Sequence, residues 1–362
     1  VFAFAISQLS HHLLNHLTWQ GVAETVVMLL AVFTAWFMTS WSATIVRADQ
    51  ARTRRLVLTV MLLGLFMNAS VPRAFTTPGW AFVIPLLMIQ LGRTFWTLAN
   101  SPNAVFREHY IRTLLWLIAT TPLWVAGAAA TREARLLWWA LAAGLDLIGR
   151  WLAHPIPGRR LHSEHVPFNA EHMLERCGLF LIIALGETVL TTGAAIAEAP
   201  MSVMTLATGT ASLAMTVALW AMSFGRSHRL ILQHLEETTD PIRTSRHAVN
   251  ALTAMVAGLI AVAVANEEMI AHPHGQTPVD LNLLLTGGPV LFLAAQAWYL
   301  RVVPRIWSKL HFIGGSALLL VGLGTLVVPP YAALILVGSS LSTLAVVDEK
   351  LSSQEADGSG LS

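Results

Sequence analysis

The sequence predicts an all-α, polytopic helical membrane protein of about 12 transmembrane helices, and three observations carry that expectation. Hydrophobic residues make up 55% of the 362 and the mean hydropathy is +0.62. Charged residues make up only 12%, about half the roughly 25% of a soluble globular domain, too few to coat a fold of this length with a polar skin. Apolar runs of about twenty residues, the length that crosses a bilayer as a helix, recur from end to end.

Cutting the apolar stretches at proline, glycine and charge clusters places the helices near 1–15, 20–45, 55–72, 79–100, 108–129, 133–153, 172–196, 201–225, 246–268, 281–301, 305–328 and 330–347. The opening run VFAFAISQLSHHLL supplies about fourteen residues, short of a full span, so the first helix is expected to be truncated. It lacks the basic stretch and small-residue cleavage site of a signal peptide. The second helix ends at the basic cluster Arg47 to Arg55, the third at Pro72 and Arg73, and the fourth opens after Pro78 and Gly79. The longest polar segment, HPIPGRRLHSEHVPFNAEHM, follows the sixth helix, and Gly225 with Arg226 closes the eighth.

The positions of Lys and Arg test this register, because cytoplasmic loops collect them. The even-numbered loops and the tail hold seventeen of the 22, whereas the alternate loops hold Arg73, Arg132 and Arg135. Both termini are therefore expected in the cytoplasm, with the chain multi-pass in a membrane. Basic residues scattered through short loops argue against nucleic acid despite a pI near 9.0. Cys177 is the single cysteine, so no intrachain disulfide can form.

Trp36, Met38 and Thr39 correspond to Trp220, Met222 and Ser223, a thin signal that nevertheless suggests a parallel repeat of two six-helix halves. The expected organisation is 1–154 for the first half, 155–171 for a cytoplasmic linker, 172–347 for the second half and 348–362 for a polar, disordered tail.

Ionisable groups inside the spans are the candidate functional residues, since a charge in hydrocarbon is expensive to keep. In AEHMLERCGLFLIIALGETVL, Glu187 lies about 16 Å beyond Arg176 by the helical rise, near mid-bilayer, and is the candidate for proton or ion coupling. Gly186 beside it would permit close helix approach. His172, Glu175 and Arg176 gather near the start of the same helix, as charge partners or as an interfacial anchor. Arg93 in MIQLGRTFW needs a carboxylate or an anionic substrate; Asp146 in ALAAGLDLIGRW and Glu187 are the two candidate partners. Gln8, His11 and His12 share a face of the first helix, as accessory proton carriers or as interfacial residues. The pair His272 and His274 with Glu267 and Glu268 lacks a third spaced ligand for a metal. Trp138, Trp139 and Trp151 fit an aromatic belt. No phosphate loop, nucleophile elbow, zinc-protease or haem motif is present.

The stretch AEHMLERCGLFLIIALGETVL, with VFAFAISQLSHHLL, MIQLGRTFW, VPRAF and ALAAGLDLIGRW, resembles the bacterial low temperature requirement protein A family over nearly the whole chain. The family usually carries an acidic, Phe-rich stretch before the first segment seen here, and Phe where this chain has Cys177. The resemblance implies a polytopic membrane protein linked by name to growth in the cold, a phenotype rather than a chemical step. The expected function is proton-coupled secondary transport of a small solute or ion. The alternatives are a lipid or quinone enzyme or sensor, built on His162, Glu164, His165, Glu171 and His172, and a non-catalytic membrane protein. Transport and non-catalytic roles are favoured over an enzyme. Expected partners are the lipid bilayer and a small solute or ion; no cofactor is assigned and homo-oligomerisation is left open.

Overall fold

The computed structural model describes residues 1–45, 50–76, 78–101, 103–156 and 168–359. These residues are almost entirely helical, with no β-strand among the described elements. Each expected span has a helical counterpart: α1 Phe2–Leu14, α2 Trp19–Ile45, α3 Ala51–Ala69, α4 Trp80–Leu87 continuing into α5 Arg93–Asn100, α6 Ala104–Ala129, α7 Arg132–Trp151, α8 Ala170–Glu198, α9 Val203–Phe224, α11 Pro241–Ala271, α12 Val279–Val302, α13 Lys309–Thr325 and α14 Pro330–Ser359. Eight helices among the described residues are long and apolar enough to cross a membrane, and α13 is a shorter apolar helix. The chain is a multi-pass helical membrane protein.

Two elements depart from expectation. The loop after the eighth expected helix contains α10, Arg226–Glu237; its sequence RSHRLILQHLEE is amphipathic and too polar to register as an apolar run. α14 continues to Ser359, through residues whose composition predicts disorder. Extending an existing helix through SSQEAD adds one hydrogen bond per residue fixed without a new nucleus.

Local sequence explains the helix ends. The Asn103 side chain accepts a hydrogen bond from the Val105 amide at 2.8 Å and opens α6, and Ser202 accepts one from the Thr205 amide at 3.1 Å and opens α9. Pro85 sits inside α4, where it cannot donate to the preceding turn. The helix recovers through a π turn over Met88–Gly92 before α5 begins at Arg93.

The chain forms two compact units: residues 1–177 with 239–250, and residues 178–238 with 251–362. In unit 1, α2 is the central element, packed against α1 and α7. The core is aromatic: Phe75, Phe82, Trp124 and Trp139 are fully or almost fully buried, with Trp139 edge-on to Phe75 at 5.0 Å between ring centroids. Trp139 is thus a core residue rather than part of an aromatic belt, while Trp138 and Trp151 are exposed.

In unit 2, α9 packs along α14 and α12 along α13. Helices α11 and α12 approach closely through paired glycines: a Cβ on Gly258 would stand 2.5 Å from the Gly288 carbonyl oxygen, and one on Gly288 would stand 2.7 Å from that of Gly258. Gly186, expected to serve this purpose, has open space where a Cβ would go. Gly258→Leu should therefore lower the melting temperature of the detergent-solubilised protein, by overpacking worth about 1–3 kcal/mol, whereas Gly186→Ala should leave it unchanged. Equal melting of wild type and Gly258→Leu would refute the α11–α12 contact.

Candidate functional site

Unit 1 buries a series of ionisable groups, each solved differently. Glu24, near the start of α2, is completely buried. Its carboxylate accepts from His12 Nε2 at 3.2 Å, Gln20 Nε2 at 3.0 Å, and Arg132 through Nε at 3.0 Å and Nη2 at 3.1 Å. A two-pronged guanidinium contact plus two further donors fills the lone pairs of an ionised carboxylate. The cluster joins α1, α2 and α7. Sequence analysis placed His12 and Arg132 near a membrane surface but missed Glu24, which sits close to a helix start and whose partners are twelve residues back and over a hundred ahead.

Deeper in α7, Asp146 is buried and is held by neutral donors, Thr120 Oγ1 at 2.8 Å and Trp124 Nε1 at 3.1 Å. Trp139 Nε1 donates in turn to the Trp124 carbonyl at 3.1 Å, fixing that tryptophan's backbone. Arg93 is not the partner of Asp146. Its guanidinium donates to the Ala35 carbonyl at 3.4 Å, the Gln90 carbonyl at 3.5 Å and Thr94 Oγ1 at 3.1 Å. The Gln90 carbonyl belongs to the π turn and the Ala35 carbonyl to α2, so the guanidinium ties those two segments together. Gln90 beside it has both side-chain polar atoms buried and unpaired.

One turn beyond Asp146, Arg150 is 2% exposed. Its guanidinium reaches Thr34 Oγ1 at 3.4 Å and lies over the Phe37 ring at 5.8 Å, but Nε and Nη2 have no hydrogen-bond partner. Arg150 lines a cavity of about 420 Å³ with Arg112, Arg246, His109 and His154, closed by apolar side chains of α2 and α6. Arg112 is paired with Glu108 at 3.1 Å. A narrow void lined by Thr34, Thr113 and Asp146 shares Arg150 and His154 with that cavity.

The backbone at the cavity is strained where α7 ends. Ala153 and His154 both take positive φ, 56° and 54°, a left-handed conformation costly for residues with a Cβ. The turn is closed by the His154 amide donating to the Gly149 carbonyl at 2.6 Å. A Cβ at Gly149 would stand 2.9 Å from the Trp116 ring and 3.1 Å from that of His154, so glycine admits both rings. The His154 ring is held by Thr113 Oγ1 at 3.3 Å from Nδ1. Burial first, and then the surrounding His109, Arg150 and Arg246, hold this imidazole well below its usual range, so it is neutral.

His172, Glu175 and Arg176 are brought together at the start of α8: Arg176 Nε donates to His172 Nε2 at 3.1 Å, and His172 Nδ1 stands 3.6 Å from Glu175. An accepting Nε2 implies a neutral ring with its proton on Nδ1. Gln8 is half-buried and His11 exposed, so of that helix face His12 is the inward member. Residues 162, 164 and 165 of the polar cluster lie outside the described residues. His272 pairs with Glu268 at 3.0 Å, and His274 faces Tyr331 instead.

In unit 2, Glu187 is 9% exposed on α8, beside a ladder of hydroxyls. Thr188 bonds Thr216 at 2.8 Å, Thr192 bonds Ser212 at 2.7 Å, and the Asn266 amide donates to Ser212. These bonds tie α8 and α9 to α11 with groups that can donate and accept alike.

Removing Arg132 strands the Glu24 carboxylate. Arg132→Ala should cost about 2 kcal/mol in denaturant unfolding, below the ~3 of a fully buried pair because the guanidinium is 38% exposed. Glu24→Gln combined with Arg132→Ala should cost less than the two changes summed; strict additivity would refute the pair.

Comparison with known proteins agrees with the fold and leaves the chemistry open. The family model for bacterial low temperature requirement A protein (LtrA) matches residues 1–347. Uncharacterized protein RA0937 of Rhizobium meliloti (strain 1021) is 29% identical over 323 residues, covering 88% of this chain and 79% of the relative. No solved structure matches the chain. With the match running from the first residue of α1's cap into α14, through every buried charge described above, the chain belongs to the bacterial low temperature requirement A protein family.

Proposed function

We propose that this protein is a proton-coupled secondary transporter of a small solute in the bacterial cytoplasmic membrane. In this reading twelve spans form two six-helix halves with both termini in the cytoplasm, and Asp146 and Glu187 are the coupling carboxylates. The observation that carries it is Asp146. A buried carboxylate on the inward face of α7, bonded to two neutral donors and lining a narrow void that shares Arg150 and His154 with the cavity, has what reversible protonation needs. Thr120 can accommodate either state, because its hydroxyl also reaches the Leu117 carbonyl at 3.3 Å and can turn from donor to acceptor when Asp146 gains a proton. Glu187 is nearly buried on α8, next in sequence to Thr188 of the hydroxyl ladder. Arg150, one turn from Asp146, senses the carboxylate's charge, so protonation changes the field at the cavity.

Asp146→Asn keeps the size and one acceptor oxygen, and its amide can donate to Thr120, so the variant should fold. In liposomes carrying an imposed pH jump, wild type should pass a proton-dependent current or dissipate the gradient. Asp146→Asn and Glu187→Gln should each reduce the rate at least about tenfold, the range over which a positioned acid–base group acts. Wild-type rates in both variants, with melting temperatures unchanged, would overturn the assignment.

A further inference from the structure

The cavity of unit 1 has a composition that proton coupling does not require. Its basic side chains come from three separate helices: Arg112 from α6, Arg150 from α7 and Arg246 from α11. Among the described residues, Glu108 takes up one of these charges through Arg112. Asp146, the nearest carboxylate to Arg150, has both oxygens turned to Thr120 and Trp124. Asp240 and Arg243 bear on Arg246 with opposite signs. Two guanidiniums thus keep hydrogen-bond capacity. Arg150 Nε and Nη2 and Arg246 Nε are buried with no hydrogen-bond partner, and Arg150 is 2% exposed.

A buried guanidinium with two empty donors is costly unless something fills them. The ligand that restores it is an oxoanion, which meets the planar N–H fork with two oxygens. Two guanidiniums that each keep an unpaired donor among the described residues match a dianion better than a single carboxylate. A volume of about 420 Å³ exceeds a bare phosphate and lies in the range of small-ligand pockets. The remaining wall, Phe37, Met38, Trp41, Phe106, Leu152 and Ile242, is apolar. A lining that combines guanidiniums with apolar side chains suits an amphiphile. The paired left-handed residues Ala153 and His154 bring the end of α7 around the cavity, which is where backbone strain is retained when a site needs a fixed shape.

We propose that the cavity of unit 1 binds a phosphate monoester carrying an apolar body, with Arg150 and Arg246 gripping the phosphate and the aromatic wall of α2 and α6 covering the body. The source of that chemistry is a soluble organophosphate or an anionic phospholipid headgroup. The inference goes beyond proton coupling and is read without any gradient, so its failure leaves the pH-jump result standing.

The full chain would be placed in phosphatidylcholine nanodiscs and titrated calorimetrically with decyl phosphate and, separately, with inorganic phosphate. In a second arm, nanodiscs containing phosphatidic acid would be compared by melting temperature. Saturable binding of decyl phosphate is expected in wild type, weakened at least tenfold by Arg246→Gln and lost in Arg150→Gln. Competition by inorganic phosphate together with an unaltered melt in phosphatidic acid assigns a soluble ligand. An Arg150-dependent rise of the melt in phosphatidic acid assigns the lipid. Since Arg150→Gln alters a buried residue, Arg246→Gln, at the half-buried side, serves as the variant expected to fold normally. Binding of decyl phosphate that is the same in wild type and Arg246→Gln, or no binding of either probe and no shift in phosphatidic acid, would overturn the proposal.

Discussion

A polar group in the interior of a membrane protein has no water to fall back on, and the placement of helices in unit 1 follows from meeting that demand. Glu24 meets it with four donors drawn from three helices. Arg135 meets it by capping, donating to the carbonyls of Ala74, Gly127 and Ala130 where α6 ends and thereby tying that end to the turn before α4. Arg93 meets most of it with the Ala35 carbonyl of α2, the Gln90 carbonyl of the π turn and the Thr94 hydroxyl, and keeps Nε without a partner among the described residues. Each solution fixes two or more helices relative to one another, so buried charges here set geometry as well as chemistry.

Against that background Arg150 stands apart. It is as buried as Arg93 but is left with two empty donors at the wall of a cavity. Arg93 donates to two carbonyls and keeps only Nε unpaired, and Arg135 donates to three, whereas Arg150 leaves both Nε and Nη2 unpaired among the described residues. The neighbours of Arg150 also differ in kind: a carboxylate held by neutral donors on one side, and a neutral histidine on a strained turn on the other. Structural pairing explains the Glu24 cluster, and ligand or proton binding is the better explanation of the Asp146–Arg150–His154 series.

The helices were legible in the sequence because apolar runs and basic loops follow directly from the bilayer. The pairing of charges was not. A periodicity argument can say that Arg93 and Asp146 lie at similar depth, but not that Arg93 donates to the carbonyls of Ala35 and Gln90 instead, since Pro85 signals a break without saying how the chain repairs it. Glu24 was overlooked for a related reason: near a helix end a carboxylate reads as interfacial, and only the tertiary approach of α1 and α7 buries it. Gly186 was read as a contact glycine because it neighbours Glu187, yet the close approach falls at Gly258 and Gly288, where the α11–α12 crossing puts it. His154 carried a usable signal, standing before Pro155 at a helix end, though nothing local marks it as buried.

An electropositive cavity at Arg150 is the claim that the proton-coupling and phosphate readings share, and the single native cysteine makes it directly measurable. In a Cys177→Ala background, Val105→Cys places a thiol on the cavity wall. Its rates of modification by a negatively charged and a positively charged methanethiosulfonate of similar size would be compared. Faster reaction with the anionic reagent, reduced toward parity by Arg246→Gln, is the expected result. A thiol that reacts with neither reagent, or that favours the cationic one, would contradict the electropositive cavity.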